Sequence, residues 1–214
     1  MIVQNYYRKN RIEMCKFIPA KYKKVLEIGC GEGTFRTYLK SDCEYWGLEK
    51  NSKSANIANK NSIKVIKGGF FDMHHMLPNN YFDLIICNDI IEHLDDYNLF
   101  LSIIKKKMTK EGYIIGSIPN VRYITNLYNL FFLKDWKYED EGILDKTHLR
   151  FFTKKSLVEI LTKHKFNIIE LHGINKINLS IYSSKSIIKN ILSFFFGNDS
   201  KYLQFGFTLK KINN

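Results

Sequence analysis

Proline is scarce in this chain, with three in 214 residues, and nothing reads as a flexible linker or a low-complexity tract. No run of about eighteen apolar residues occurs, which excludes a spanning helix. Residues 1–9 lack the apolar centre of a signal peptide. Cys15, Cys30, Cys43 and Cys87 fall at no metal-ligand spacing. In a chain without an export signal they are expected to be reduced, buried thiols, and the expected compartment is the cytoplasm. Acid is the minority charge, giving a net +12. Such an excess favours nucleic acid or anionic membrane surfaces. Here, however, the lysines are scattered. The one triplet, Lys105, Lys106 and Lys107, falls in the last turns of an expected helix over 97–108, where the helix dipole favours cations. Nucleic acid is therefore not the expected partner. The length suits one domain, 1–214, with a sizeable core.

What the chain does have is a glycine-rich loop near its start. Residues 25–28 read as a short buried strand. Gly29, Gly31 and Gly33 follow, and a helix is expected from Phe35 to Leu39. Such a loop lets a ligand approach the backbone, and the N–H groups at a helix start favour its polar groups. The dinucleotide fingerprint is G-x-G-x-x-G. In this chain the third glycine comes one residue early, at Gly33, and an acid, Glu27, sits inside the strand.

The run from Glu27 to Gly33, E-x-G-x-G-x-G, resembles motif I of the class I S-adenosylmethionine-dependent methyltransferases. The resemblance implies that Gly29, Cys30, Gly31 and Gly33 lie under the methionine part of the cofactor and that Glu27 belongs to the network around its amino group. It also implies a doubly wound, Rossmann-like α/β sheet of seven strands in the order 3-2-1-4-5-7-6, with strand seven antiparallel. The alternation of strands and helices itself argues for a doubly wound sheet.

Taken in order, a helix is expected over 6–18, ended by Pro19. Strand two, 44–49, ends in Glu49, whose carboxylate can accept from both ribose hydroxyls. A helix over 53–60 and strand three over 63–67 lead to Phe71 and Asp72. There the resemblance places the adenine contacts, although Asp72 reads equally as a turn residue. Strand four, 82–87, is a continuous apolar run, as expected of a sheet covered on both faces. Asn88 and Asp89 open a segment that in this family passes along the cofactor and lines the acceptor site. Strand five is expected at 113–118, a helix at 154–164 behind a Thr153 cap, strand six at 166–171 and strand seven at 204–209.

His93 is the candidate general base toward the acceptor, since imidazole titrates near neutral pH. The alternative is a purely orienting role. His148 is the second candidate. It lies in the run 145–153, D-x-T-H-x-R-F-F-T, which resembles methyltransferases found with genes for surface glycans. With Arg150 it would bind an anionic acceptor; otherwise it ties an insertion to the core. Asp89, Glu92 and His93 lie at i, i+3 and i+4, one face if that turn is helical. Quinone-biosynthesis O-methyltransferases carry a similar cation-holding cluster. Here Asp89 is shorter than the glutamate found there, and no metal is assigned.

The expected activity is S-adenosylmethionine-dependent O-methylation of a small molecule or a sugar or glycan acceptor. A nucleic-acid methyltransferase is the alternative, but the Asn/Asp-Pro-Pro-aromatic signature of amino-group methylation is missing after strand four. A non-catalytic binding module fits poorly with an intact loop, Glu49 and Asp72. Two insertions, 122–150 and 176–200, are expected to cap the acceptor site. Within the second, 185–196 reads as an amphipathic helix. Its apolar face is expected either to pack on the sheet or a second subunit as a homodimer, or to sit peripherally on the inner face of an anionic membrane.

Overall fold

A computed structural model describes residues 11–60, 64–178 and 184–212. It contains one seven-stranded sheet in the order β3-β2-β1-β4-β5-β7-β6. The strands are β1 (Lys24–Ile28), β2 (Glu44–Glu49), β3 (Lys64–Lys67), β4 (Phe82–Asn88), β5 (Met108–Pro119), β6 (Phe166–Lys176) and β7 (Tyr202–Lys211). The first five pair in parallel, and β7 runs antiparallel between β5 and β6. β1 and β4 are buried almost throughout, because parallel strands covered on both faces leave no side for polar residues. The α-helices are α1 (Ser52–Lys60), α2 (Phe70–Met73), α3 (Tyr97–Lys107), α4 (Ile124–Tyr128), α5 (Lys154–Lys163) and α6 (Ser184–Phe195). Asp96 caps α3, accepting from Leu99 N at 2.9 Å. Thr153 and Ser156 make a reciprocal cap on α5.

Several boundaries differ from expectation. The helix after the glycine loop is a 3₁₀ helix, Thr34–Tyr38. It stops there because the Arg36 guanidinium turns back to donate to the carbonyls of Lys40 and Ser41 at 2.8 and 2.9 Å. The first helix is likewise 3₁₀, Ile12–Phe17, ahead of Pro19; the rest of its expected span, 6–10, lies outside the described residues. Residue 63, the expected start of strand three, also lies outside them. β5 begins at Met108, which pairs with Phe82 before a bulge resets the register at Leu84. β6 continues past 171 to Lys176, because its partner β7 continues to Tyr202. Gly173 permits this pairing: a Cβ there would fall 2.2 Å from the Tyr202 ring. The polar 172–176 stretch on an edge strand carries no strong alternation to signal it. In the first insertion, α4 runs into a π-helical turn, Asn129–Leu133, where an irregular segment is expected.

A small group of the basic residues gathers at the amino edge of the sheet. A crevice of about 610 Å³ lies there among Lys105, Lys106, Lys163, Lys165 and Lys211. Lys105 Nζ donates to the carbonyls of His164 and Lys165, and Lys211 Nζ to that of Met108. These lysines close chain ends, and the glycine loop lies at the opposite edge. No described helix is long and apolar enough to cross a membrane.

Candidate active site

The loop after β1 holds its three glycines at φ +74° (Gly29), +55° (Gly31) and +79° (Gly33). A Cβ on Gly29 would lie 2.3 Å from Ile90 Cδ1, and its φ of +74° independently favours glycine where this loop sits against the segment after β4. Four N–H groups of the loop itself are committed within the protein. Gly29 N and Cys30 N donate to Leu48 O at 2.8 and 3.3 Å, Gly31 N to Glu49 Oε2 at 2.8 Å, and Gly33 N to Cys30 O at 2.8 Å. What the loop offers a ligand is a bare backbone surface flanked by two carboxylates. Glu49, at the end of β2, is buried and latches the loop with one oxygen while accepting from Asn51 N at 2.7 Å with the other. Lone pairs remain on both oxygens for a diol.

Glu27 is also buried, and the Tyr45 hydroxyl donates to it. Burial, with Glu49 nearby, pushes its carboxyl well above the usual carboxylate range, while Arg11 opposes the shift. A ligand ammonium docking beside it would favour the charged form. Because the free-state pKa is raised, binding below that pKa releases a proton, and affinity rises with pH until Glu27 ionises unaided. Calorimetry of S-adenosylmethionine in two buffers of different ionisation heat should show this release, and Glu27→Gln should abolish it. Buffer-independent heats in the native protein would refute the linkage.

The segment after β4 departs from a helical face. Asn88 ends the strand, Asp89 turns at φ +51°, and only Ile91–His93 forms a 3₁₀ turn. Asp89 therefore does not share a face with Glu92 and His93. Its carboxylate is engaged by Arg11, by Ser117 Oγ at 2.6 Å and by Gln204 Nε2 at 2.7 and 2.8 Å. This corrects the expected acid cluster: the residue that joins Glu92 and His93 is His148, the donor atoms of the three lying within 4.8 Å of one another. Asn88 keeps its side-chain amide buried with neither end hydrogen-bonded among the described residues, a placement that costs free energy unless a ligand completes it.

His93 is held by the first insertion. Its Nδ1 lies 3.2 Å from Thr147 O and 3.0 Å from Thr147 Oγ1. A proton on Nδ1 would satisfy the carbonyl and make Nε2 the basic nitrogen. Burial, then the neighbouring His148, lowers its pKa, so the ring is neutral at neutral pH. His148 packs on the edge of that ring, centroids 4.6 Å apart, and its Nδ1 lies 2.9 Å from Ile143 O. Its Nε2 faces Glu92 Oε1 at 4.0 Å. Glu92 is buried, and burial, with Asp89 second, drives its carboxyl well up. Its backbone carbonyl accepts from Leu149 N and Arg150 N, strapping the insertion to the core. The Arg150 side chain donates to the carbonyls of Leu149 and Asp95, so it is not aimed with His148 at a shared anion.

Phe71 and Asp72 lie in α2, not in a loop. Phe71 is half-buried against Phe70, and Asp72 is exposed and folds back over Gly69. Cys30 is buried, and burial raises its thiol pKa, so it is a packing residue. Sequence reasoning missed Arg11, Ser117 and Gln204, which brace Asp89, and Asp145, which accepts from Thr147 N and Oγ1 at 2.7 Å and so aims Thr147 at His93. Only the Asp-x-Thr spacing of the last pair carried a signal, that of an Asx turn.

A family model described as a methyltransferase domain matches residues 2–171. The ubiquinone biosynthesis O-methyltransferase of Pelagibacter ubique (strain HTCC1062) is 26% identical over 165 residues, covering 73% of this chain and 67% of that relative. An S-adenosylmethionine-dependent methyltransferase from Archaeoglobus fulgidus has the same fold, with a TM-score of 0.66 at 21% identity over 98% of each chain. Another from Mesorhizobium loti gives 0.61 at 13% identity over 94% of this chain and 96% of that one.

Proposed function

This chain belongs to the S-adenosylmethionine-dependent methyltransferase family, and on that premise we propose that it methylates a hydroxyl oxygen of a small-molecule or glycan acceptor. The bare glycine surface, the buried pair Glu27 and Glu49, and the unpartnered Asn88 amide suit the cofactor's ammonium, ribose and polar edge. Bound there, the sulfonium presents an already activated methyl group. The protein's part is to align the acceptor with it, keep water away and accept the acceptor's proton.

The observation that carries the oxygen reading is the anchoring of a neutral His93 by Thr147, in the 3₁₀ turn just past Ile90, which lies against the glycine loop. A hydroxyl must lose its proton as the methyl arrives, and the His93 imidazole is the group placed to take it. His148 and Glu92 act as positioning residues behind that ring. The name of the Pelagibacter relative, an O-methyltransferase, supports the same atom. With methyl-labelled S-adenosylmethionine, phenolic and sugar hydroxyls should take up label, while the matching amines should not. Preferential labelling of the amines would overturn the proposal.

A second reading is favoured by the proximity of Glu92, His93 and His148 donor atoms. One carboxylate and two imidazoles suit a divalent cation. Under the base reading, activity survives exhaustive chelation. Loss of activity on chelation, with recovery on adding a divalent cation, would make His93 a ligand instead.

A further inference from the structure

The two insertions leave the same edge of the sheet as the glycine loop, since β5 and β6 both run in the direction of β1. They also meet each other. The Phe131 and Phe196 rings stack with centroids 5.6 Å apart. Lys189 Nζ reaches Thr125 Oγ1 at 3.1 Å and lies 5.3 Å from the centre of the Tyr128 ring. The Arg122 guanidinium ties the end of α6 down through Phe196 O at 2.5 Å and Asp199 Oδ2 at 3.0 Å. The π-helical turn and α6 are thus fastened together, yet their apolar side chains point outward. Phe194 is 84% exposed, Phe195 76% and Phe131 58%, with Phe132, Leu133 and Ile191 beside them also more than half exposed. Contiguous apolar surface of this kind marks an interaction site on a folded protein.

Charge selects the occupant. The stretch 171–198 contains no acid and α6 itself carries two lysines, whereas after the π-helical turn Lys134 and Lys137 alternate with Asp135, so the positive charge of this face is that of α6. A second copy would bring the same face and the same +12 net charge. An anionic lipid surface meets both features, and it accepts protruding rings without needing a shape-matched pocket. The helix has 12 residues, too few to cross a bilayer but enough to lie along its interface.

We propose that α6 and the 129–133 turn together form a shallow membrane-inserting face that docks the enzyme on an anionic lipid bilayer, with the site edge of the sheet toward the headgroups. This docking stands apart from the identity of the acceptor atom, because it is read by binding and not by turnover.

The full chain should co-sediment at low salt with vesicles of equal phosphatidylcholine and phosphatidylglycerol, and roughly ten-fold less with phosphatidylcholine alone. Phe194→Glu combined with Phe195→Glu should abolish that binding while leaving the melting temperature and S-adenosylmethionine affinity unchanged. Phe194→Leu with Phe195→Leu should retain it. Three results would overturn the proposal. The first is wild type left in the supernatant with anionic vesicles at low salt. The second is binding of the double glutamate variant equal to that of the wild type, which would leave lysine charge alone as the cause. The third is a wild-type dimer that the glutamate variant splits, which would assign the face to a second copy.

Discussion

Replacing His93 with alanine is expected to lower kcat by roughly 10²–10⁴, the usual worth of a positioned general base. S-adenosylmethionine affinity should stay within about three-fold, because the hydrogen bonds that hold the glycine loop, Glu27 and Glu49 run among residues 27–51. The two effects separate because His93 is placed by Thr147 of the first insertion, whereas the cofactor cradle is built from β1 and β2. Thr147→Val removes the hydroxyl but leaves the backbone carbonyl, so it should give a smaller loss in kcat. A large loss of cofactor affinity with normal turnover at saturation would move His93 into the cofactor site and refute the assignment.

Glu49→Ala is expected to weaken S-adenosylmethionine binding by roughly 1.5–3 kcal/mol, the scale of hydrogen bonds to a charged group. The geometry gives two sources for this loss. The carboxylate would no longer accept from ribose hydroxyls, and Gly31 N would lose its 2.8 Å acceptor, loosening the loop beneath the ligand. Since Asn51 N also loses its acceptor, the entry to α1 should loosen, and the melting temperature should fall modestly. Titration calorimetry on the folded variant decides the matter: unchanged affinity would remove Glu49 from the cofactor site.

How far the sequence carried depends on the range of the interaction involved. β1, β4 and the glycine loop were legible because burial on both faces and positive φ leave direct marks in residue type. The strand order came with the family resemblance, since no local pattern encodes which strands become neighbours. Asp89 shows the limit. Its spacing to Glu92 and His93 suggested one helical face, but its neighbours are Arg11, Ser117 and Gln204, the last 115 positions away. His148 reached the same cluster through an insertion 55 positions beyond His93, a closure that periodicity cannot report. The helices after Arg11 and after the glycine loop were placed within a residue or two where they are described, but their 3₁₀ winding leaves no mark in residue type.

Phe17 lies over Gly206 so closely that a Cβ on that glycine would fall 2.4 Å from its ring, and Thr208 Oγ1 donates to Phe17 O at 3.1 Å. One side of the 3₁₀ helix at 12–17 is therefore fitted to a strand made some 190 positions later. During synthesis the 3₁₀ helix at 12–17 and Arg11 emerge long before β7, the strand that completes their seat and that also supplies Gln204 to Asp89. β6 must wait as well, because β7 is its one neighbour in the sheet. β1 to β5 and the glycine loop are complete in sequence before β7, which brings the Gln204 brace of Asp89 and the partner of β6 together. Ligand competence should consequently switch on abruptly with chain length, and chains stalled before residue 202 should display the Phe17 ring and the open edge of β5 to chaperones.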